Sequence, residues 1–199
     1  QTILDSGLEL GVRGIYRDLG ATIEDVAIDA AVIDYYNGPG NWTADGTVED
    51  TFGGFHQYVL TNPGNDMSVY IPETDEQVSL SAGALGYPEP VRTYKALEFT
   101  IGRPLENNWS ADLSYTWSES TGNHEGYVKS DNGQDDAGIT TIFDQPGLTD
   151  FSKGELPNSR AHTLKAYGSY EFNNGLRLGA NLIAQSGRPI SCFGVHPKI

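Results

Sequence analysis

Residues 109–119 read Trp-Ser-Ala-Asp-Leu-Ser-Tyr-Thr-Trp-Ser-Glu and alternate strictly between apolar and polar side chains from Trp109 to Ser118. Successive side chains of a β-strand point to opposite faces, so this period of two predicts a strand with one apolar and one polar face. The segment contains no Pro and can therefore carry a continuous ladder of hydrogen bonds. It decides the fold class, because the same pattern recurs in other parts of the chain.

Four further segments share this alternation, at residues 7–18, 93–103, 160–172 and 176–187. Each of the five is about 10–13 residues long, whereas strands of soluble sheets most often have about 5–6 residues. A tilted strand that crosses a membrane needs about 9–11 residues. We therefore expect an all-β fold, namely an antiparallel transmembrane β-barrel segment of about five long strands.

The connections between these strands alternate between long and short. Long segments follow the first, third and fifth strands, at 19–91, 120–158 and 188–199, whereas short ones follow the second and fourth, at 104–108 and 173–175. Outer-membrane barrels combine long extracellular loops with short periplasmic turns in this way. We therefore interpret residues 1–199 as one partial barrel domain. Because five strands cannot close a barrel around a polar lumen, and an open sheet edge is not tolerated in lipid, partner strands are expected from other sequence.

Net charge and composition exclude several classes of protein. The chain has 12 Lys and Arg against 27 Asp and Glu, which gives a net charge of −15 and argues against binding to nucleic acid. Aromatic residues make up 11%, too many for a disordered acidic chain. No run of 18 apolar residues predicts a transmembrane helix. The single Cys192 allows neither an internal disulfide nor a cysteine-based zinc site.

The two long loops carry the excess negative charge, and the first of them contains segments that predict secondary structure. Residues 19–91 hold 12 acidic residues and no Lys or Arg, a charge that could steer cationic ligands toward the mouth of a barrel. Phe55–Leu60 and Met67–Ile71 are separated by a turn-like segment and predict a hairpin. Thr22–Ile33 is rich in Ala and predicts a short helix.

Aromatic residues lie at both ends of the apolar strand faces, where a lipid-facing girdle would contact the headgroups. The predicted girdle consists of Trp109, Tyr170 and Phe172 beside the short turns, and Tyr16, Tyr115 and Trp117 at the opposite end. The opposite faces carry charged residues, namely Arg13, Arg17, Glu98, Asp112, Lys165, Glu171 and Arg177. We favour ion pairs among these residues, within the barrel wall, over contacts with a plug domain inside the barrel.

A soluble β-sandwich would also alternate, and it predicts that the Trp109, Leu113 and Trp117 face packs on a second sheet of the same chain. It explains less well why the opposite face holds charges such as Asp112 and Lys165. The barrel is therefore favoured, and the sandwich binding module stays as the alternative.

The chain contains Asp and His residues of the types that bind metals or take part in catalysis. Asp131, Asp135 and Asp136, with Asp144, offer hard oxygen ligands for Ca²⁺, although their spacing differs from an EF-hand loop. A solvated loop, or one bridged to lipopolysaccharide by divalent cations, is the alternative. The four histidines, His56, His124, His162 and His196, belong to no catalytic motif, and no other cofactor is indicated. We expect no enzyme, and a structural role for His162.

Several motifs resemble a known family. Segments 92–99, 114–120, 156–165 and 185–189 resemble TonB-dependent outer-membrane receptors, the third through its element Pro157-Asn158-Ser159-Arg160-Ala161-His162. Segments 129–140 and 192–197 resemble more narrowly the Oar-like (OmpA-related) branch of that family.

The resemblance implies a barrel of about 22 strands with an N-terminal plug, of which this chain is an internal piece from the C-terminal half without plug or TonB box. It implies ligand recognition through extracellular loops and TonB-coupled import across the outer membrane of a Gram-negative bacterium. The ligand is unspecified: a small molecule, carbohydrate or peptide. Cys192 is expected to pair with a downstream cysteine beyond Ile199, or to be a free thiol. A structural or adhesion role is the alternative.

Overall fold

The computed structural model describes residues 2–4, 7–38, 57–72, 74–130, 133–135 and 141–190. The chain forms two compact units. The first comprises Gln1–Asp18, Thr93–Thr121 and Glu155–Ile190, and the second comprises Leu19–Arg92, Gly122–Gly154 and Ser191–Ile199. The long alternating strands thus form one unit, and the predicted long loops contribute most of the other.

The fold is mostly antiparallel β-structure. Its strands are β1 (Thr2–Ile3), β2 (Glu9–Leu19), β3 (Glu24–Ala27), β4 (Tyr58–Thr61), β5 (Met67–Ile71), β6 (Glu76–Leu80), β7 (Arg92–Glu106), β8 (Trp109–Gly122), β9 (Val128–Lys129), β10 (Gln134–Asp135), β11 (Gly154–Glu155), β12 (His162–Glu171) and β13 (Arg177–Gln185). The helices among the described residues are α1 (Asp29–Asn37), α2 (Ala82–Leu85) and a 3₁₀ turn (Thr141–Phe143).

The first unit is built on a seven-stranded sheet with the order β1-β2-β7-β8-β12-β13, in which β11 also pairs with β8. The strand β7 continues to Glu106, so the predicted turn at 104–108 is shorter than expected. It contains two residues, Asn107 and Asn108, both at positive φ. Asn tolerates this conformation and is common in two-residue hairpins, because the twist of such turns matches the twist of the strands.

In its described residues, the second unit contains short strands, the helices α1 and α2, and the hydrophobic core. The two-stranded sheets β3-β4, β5-β6 and β9-β10 belong to it. Its fully buried core side chains include Val26, Val32, Ile71 and Phe143. The predicted long loops therefore fold into a packed body, as expected for connections far longer than usual.

The strand pairing in this unit corrects one prediction. Both segments of the expected hairpin contain strands, β4 and β5, but these do not pair with each other. Instead, β4 pairs with β3, and β5 pairs with β6. The predicted helix at 22–33 is displaced as well, because residues 24–27 form β3 and the helix begins at Asp29. The burial of apolar residues in one shared core decided which strands pair. It outweighed the turn-like segment between the two strands, which had predicted a hairpin.

Gly122 ends β8 at a place where the chain leaves no room for a side chain. A Cβ atom there would overlap the backbone carbonyl oxygen of Val91. The neighbouring Asn123 fixes this approach, since its side chain accepts a hydrogen bond from Val91 N at 2.7 Å and donates one to Glu89 O at 2.9 Å.

We therefore expect Gly122→Ala to lower the free energy of unfolding of the second unit by roughly 1–3 kcal/mol, because the backbones must move apart. Gly20→Ala, in the same unit, is the control, since a Cβ at Gly20 meets no atom within 4 Å. Urea unfolding of the two variants measures the difference, and equal midpoints would contradict the steric argument.

Candidate functional surface

One face of the long-strand sheet is continuously apolar. Residues directly opposite each other in antiparallel strands share a face, so the register defines rows of neighbouring side chains. Four such rows cross β8, β12 and β13, namely Trp109–Tyr170–Leu178, Ala111–Gly168–Ala180, Leu113–Ala166–Leu182 and Tyr115–Leu164–Ala184. No charged residue occurs in any of these rows, so the apolar character extends across three strands.

This apolar face is exposed to a large extent. Leu113 is 39% exposed, Trp117 is 54% exposed and Leu182 is 57% exposed. A second sheet packed over the face, as the sandwich alternative requires, would have buried these side chains. Exposed apolar patches of this extent mark surfaces that contact a protein partner or a membrane. The face is therefore the leading candidate for a functional surface.

At the end of the face next to the two short turns, aromatic side chains gather around one arginine. Trp109 lies directly opposite Tyr170, and the rings of Tyr170 and Phe172 are 4.8 Å apart in an edge-to-face arrangement. The guanidinium carbon of Arg103 lies 3.8 Å from the centre of the Trp109 ring. Arg103 also donates hydrogen bonds to the carbonyl oxygens of Glu106 and Trp109, at 2.8 and 3.0 Å. Arg103 is thus attracted to the Trp109 ring by a cation–π interaction. It also supplies hydrogen-bond donors to two carbonyl oxygens beside the turn.

At the opposite end, Tyr115, Trp117 and His162 lie together. His162 is directly opposite Trp117, and its Nδ1 is 2.8 Å from the hydroxyl oxygen of Tyr115. The Tyr115 and His162 rings are nearly parallel, with centroids 6.1 Å apart. Tyr16 lies on β2 and is 67% exposed. These are the positions of the six predicted girdle residues, and contact with lipid remains a prediction for all of them.

The opposite face of the sheet is polar and pairs its charges internally. Arg13 on β2 contacts Glu98 on β7 at 2.5 Å, and Arg177 on β13 contacts Glu171 on β12 at 2.7 Å. Four of the seven charged residues assigned to this face therefore pair within the sheet, which is the arrangement favoured from the sequence. Such exposed pairs contribute little to stability, about 0–1 kcal/mol each, but they keep this face polar.

The second unit contains a buried polar pair that sequence reasoning missed. His124 Nε2 lies 2.8 Å from Glu24 Oε1, and neither side chain is exposed to solvent. His124 also packs near Phe143, with ring centroids 6.1 Å apart. Because 100 residues separate the two partners, no local pattern indicates that they meet.

A second buried group lies close by in the same unit. The Tyr87 hydroxyl donates to the carbonyl oxygen of Ala27 at 2.9 Å. Burial, reinforced by the nearby carboxylates of Asp29 and Asp144, raises the pKa of Tyr87 well above its usual range. The phenol therefore stays neutral at every physiological pH and serves as a structural donor.

The predicted calcium ligands and the predicted disulfide cysteine fall almost entirely outside the described residues. Asp131, Asp136 and Cys192 lie outside them, and only the backbone of Asp135 is described, in β10. Among the residues that the structure describes, no group of three His, Cys, Asp or Glu side chains could hold a metal ion. The calcium site and the disulfide therefore stay predictions.

No helix in the described part of the chain is long and apolar enough to cross a membrane.

Comparison with known proteins gives one informative similarity. The chain is 30% identical over 191 residues to the TonB-dependent transporter Oar of Myxococcus xanthus. The match covers 94% of this chain but only 14% of that transporter, so the chain spans about one seventh of the relative's length. No family model matches the chain, and no solved structure matches it. The similarity supports a relationship to TonB-dependent receptors.

Proposed function

We propose that this chain is a wall segment of a TonB-dependent outer-membrane receptor of the Oar-like kind. In this proposal the receptor recognises its ligand through extracellular loops and imports it by TonB-coupled gating. The observation that carries the proposal is the exposed, uncharged face across β8, β12 and β13, with aromatic side chains at both ends. The similarity to a TonB-dependent transporter supports it independently.

Strand length agrees with this assignment. The strand β12 has 10 residues. At about 3.3 Å per residue and a tilt of about 40°, a strand of this length spans roughly 25 Å along the membrane normal. This matches the height of the apolar band of outer-membrane barrels, which is about 25 Å. Further strands are needed to close a barrel, because an unpaired edge costs several kcal/mol per backbone group in hydrocarbon.

The two ends of the sheet suit the two interfaces of a membrane. Trp109 and Tyr170 would lie at headgroup depth near the short turns. There the guanidinium of Arg103 contacts the Trp109 ring and the carbonyl oxygens beside the turn. Tyr115, Trp117 and His162 would lie at the outer interface, near lipopolysaccharide. Amphipathic rings favour such positions because one part of the ring is apolar and another part is hydrated.

The remaining roles follow from the same proposal. The polar face would line the lumen, with its pairs Arg13–Glu98 and Glu171–Arg177 formed within the wall. The second unit, to which the predicted extracellular loops contribute most of the residues, would take part in ligand recognition. TonB would act through the N-terminal region of the receptor. We propose no catalytic activity, and calcium binding by Asp131, Asp135 and Asp136 remains a proposal for the acidic loop.

Fractionation of the source cells tests this proposal. We expect the native polypeptide in the outer-membrane fraction, with a mass well above 21.6 kDa and tryptic peptides that extend beyond both Gln1 and Ile199. An inner-membrane protein and a periplasmic protein serve as markers of clean separation. A native chain of this length that is soluble without detergent would contradict the barrel.

A further inference from the structure

The end of the apolar face away from the short turns carries basic side chains to which the proposed function gives no role. His162 lies directly opposite Trp117, so its exposed ring belongs to the same face as the apolar rows. Arg160 precedes His162 by two residues, a spacing that places both side chains on one side of an extended chain. The element at 157–162, which the family resemblance singled out, therefore supplies two basic groups at the rim of the apolar face.

Ser186 holds these two residues together. The His162 backbone N–H donates to Ser186 Oγ at 3.1 Å, and the Ser186 N–H donates to the His162 carbonyl oxygen at 2.9 Å. Arg160 Nη1 donates to the Ser186 carbonyl oxygen at 2.7 Å. A guanidinium group has five N–H donors, and Arg160 forms no ion pair with any residue that the structure describes. Its charge is therefore fixed beside the ends of β12 and β13 with donors left for another partner.

The His162 ring is held by Tyr115. Its Nδ1 lies 2.8 Å from the Tyr115 hydroxyl oxygen, and the two rings are nearly parallel. When that hydroxyl donates to Nδ1, the proton of a neutral imidazole lies on Nε2, where it can be donated to an acceptor. Among the described residues, Nε2 has no such acceptor. Arg160 and His162 thus offer N–H donors at one rim of the sheet.

The charge of this part of the chain is opposite to that of the whole. Residues 156–190 contain four Lys and Arg against a single acidic residue, Glu171, whereas the whole chain has a net charge of −15. Glu171 is paired with Arg177 at 2.7 Å beside a short turn, at the other end of the strands. Glu119 lies two residues beyond Trp117 in β8 and is exposed, but it forms no ion pair with a described residue. The bases of this segment are therefore complementary to an anion.

We propose that Arg160 and His162 bind a phosphate group of lipid A, the acylated anchor of lipopolysaccharide, whose acyl chains lie along the apolar rows. The planar fork of an arginine matches two phosphate oxygens, and hydrogen bonds between charged groups are stronger than neutral ones. The Trp117 ring beside His162 would contact the lipid where its sugars meet its acyl chains. A free phosphate ion would gain only the hydrogen bonds, whereas a lipid also gains contact with the apolar face.

This inference rests on the proposed receptor function, because that function places this end of the strands in the outer leaflet. The two can nevertheless fail separately. Absence of the polypeptide from the outer-membrane fraction would remove the receptor, and with it the leaflet in which lipid A is met. An outer-membrane polypeptide without any preference for phosphorylated lipid would remove only the phosphate site.

The experiment uses the native polypeptide, purified and delipidated in maltoside micelles without divalent cations, which would themselves bind phosphate. Diphosphoryl lipid A is titrated, and native mass spectrometry measures the bound lipid. Dephosphorylated lipid A is the matched probe, because it keeps the sugars and acyl chains. We expect the phosphorylated lipid to bind roughly tenfold more tightly. Phosphatidylglycerol and inorganic phosphate test the source of the phosphate, and equal affinity for either of them would overturn lipid A as the ligand.

Variants locate the site. Arg160→Gln keeps an N–H donor for Ser186 but removes the charge, and we expect it to reduce the preference for phosphorylated lipid to roughly twofold. Arg160→Lys keeps the charge without the fork and should give an intermediate preference. Arg177→Gln removes a base at the other end of the strands and should leave the preference unchanged. Circular dichroism verifies that each variant folds. A tenfold preference that persists in the double variant Arg160→Gln/His162→Gln would overturn the proposal.

Discussion

Replacing His124 with Leu is expected to lower the free energy of unfolding of the second unit by about 3–5 kcal/mol. The substitution removes the hydrogen-bond partner that His124 Nε2 provides to Glu24 Oε1 at 2.8 Å. Both side chains are fully buried, so water cannot replace the lost contact. A buried carboxylate that loses a hydrogen-bond partner loses part of what offsets its desolvation, and this costs more than the net stabilisation that the pair provides.

The double variant Glu24→Leu/His124→Leu separates the pair from the packing. Because it removes both polar groups and keeps apolar volume, we expect it to be more stable than His124→Leu. In the part of the chain that the structure describes, His124 Nδ1 has no hydrogen-bond partner, which adds to the gain from removing the imidazole. A double variant whose loss equals the sum of the two single losses would show that the two residues do not interact.

Hydrogen exchange is the appropriate measurement, because a chain of two units need not unfold in a single step. Amides of β3 and α1 report on the second unit, and amides of β8 and β12 report on the first. The control His162→Leu removes an exposed histidine of the first unit. We expect it to cost less than about 1 kcal/mol and to leave exchange of the β3 and α1 amides unchanged.

The strands of the first unit were predictable because their signal is local. Each segment alternates between apolar and polar residues with a period of two. A strand can therefore be predicted from the segment alone, without knowledge of its partner strand. The segment 109–119 lies within β8, and the alternating residues of 160–172 lie on opposite faces of β12. The ends were less certain, as β7 shows by continuing to Glu106. Strand ends depend on pairing with a neighbour, which the sequence of one strand does not contain.

The second unit was less predictable because its contacts are distant in sequence. Both β4 and β5 carry strand signals, but their choice of partners depends on the core around Val26, Ile71 and Phe143. The Glu24–His124 pair follows from that choice. Arg103 is an intermediate case. A single base on an apolar strand face beside a turn is unusual, and this signal could have predicted its contact with Trp109.

The second large effect is expected on the apolar face itself. Leu182 lies in the middle of β13, in the row that it forms with Ala166 and Leu113. If this face contacts lipid, Leu182→Arg should destabilise the membrane-embedded receptor by about 2–4 kcal/mol, since a charge at mid-depth must leave water. In a sheet whose two faces are both hydrated, the same substitution should change stability by less than about 0.5 kcal/mol, because Leu182 is already 57% exposed.

Asn181 provides a matched control for this prediction. It is the preceding residue of the same strand, it is exposed, and it faces the other side of the sheet opposite Tyr167. Asn181→Arg therefore adds the same side chain at nearly the same depth, but on the polar face. Urea unfolding of the receptor in lipid vesicles should separate the two variants by at least about 2 kcal/mol. Equal losses would contradict a lipid-facing role for the apolar rows, because depth, side chain and strand are the same and only the face differs.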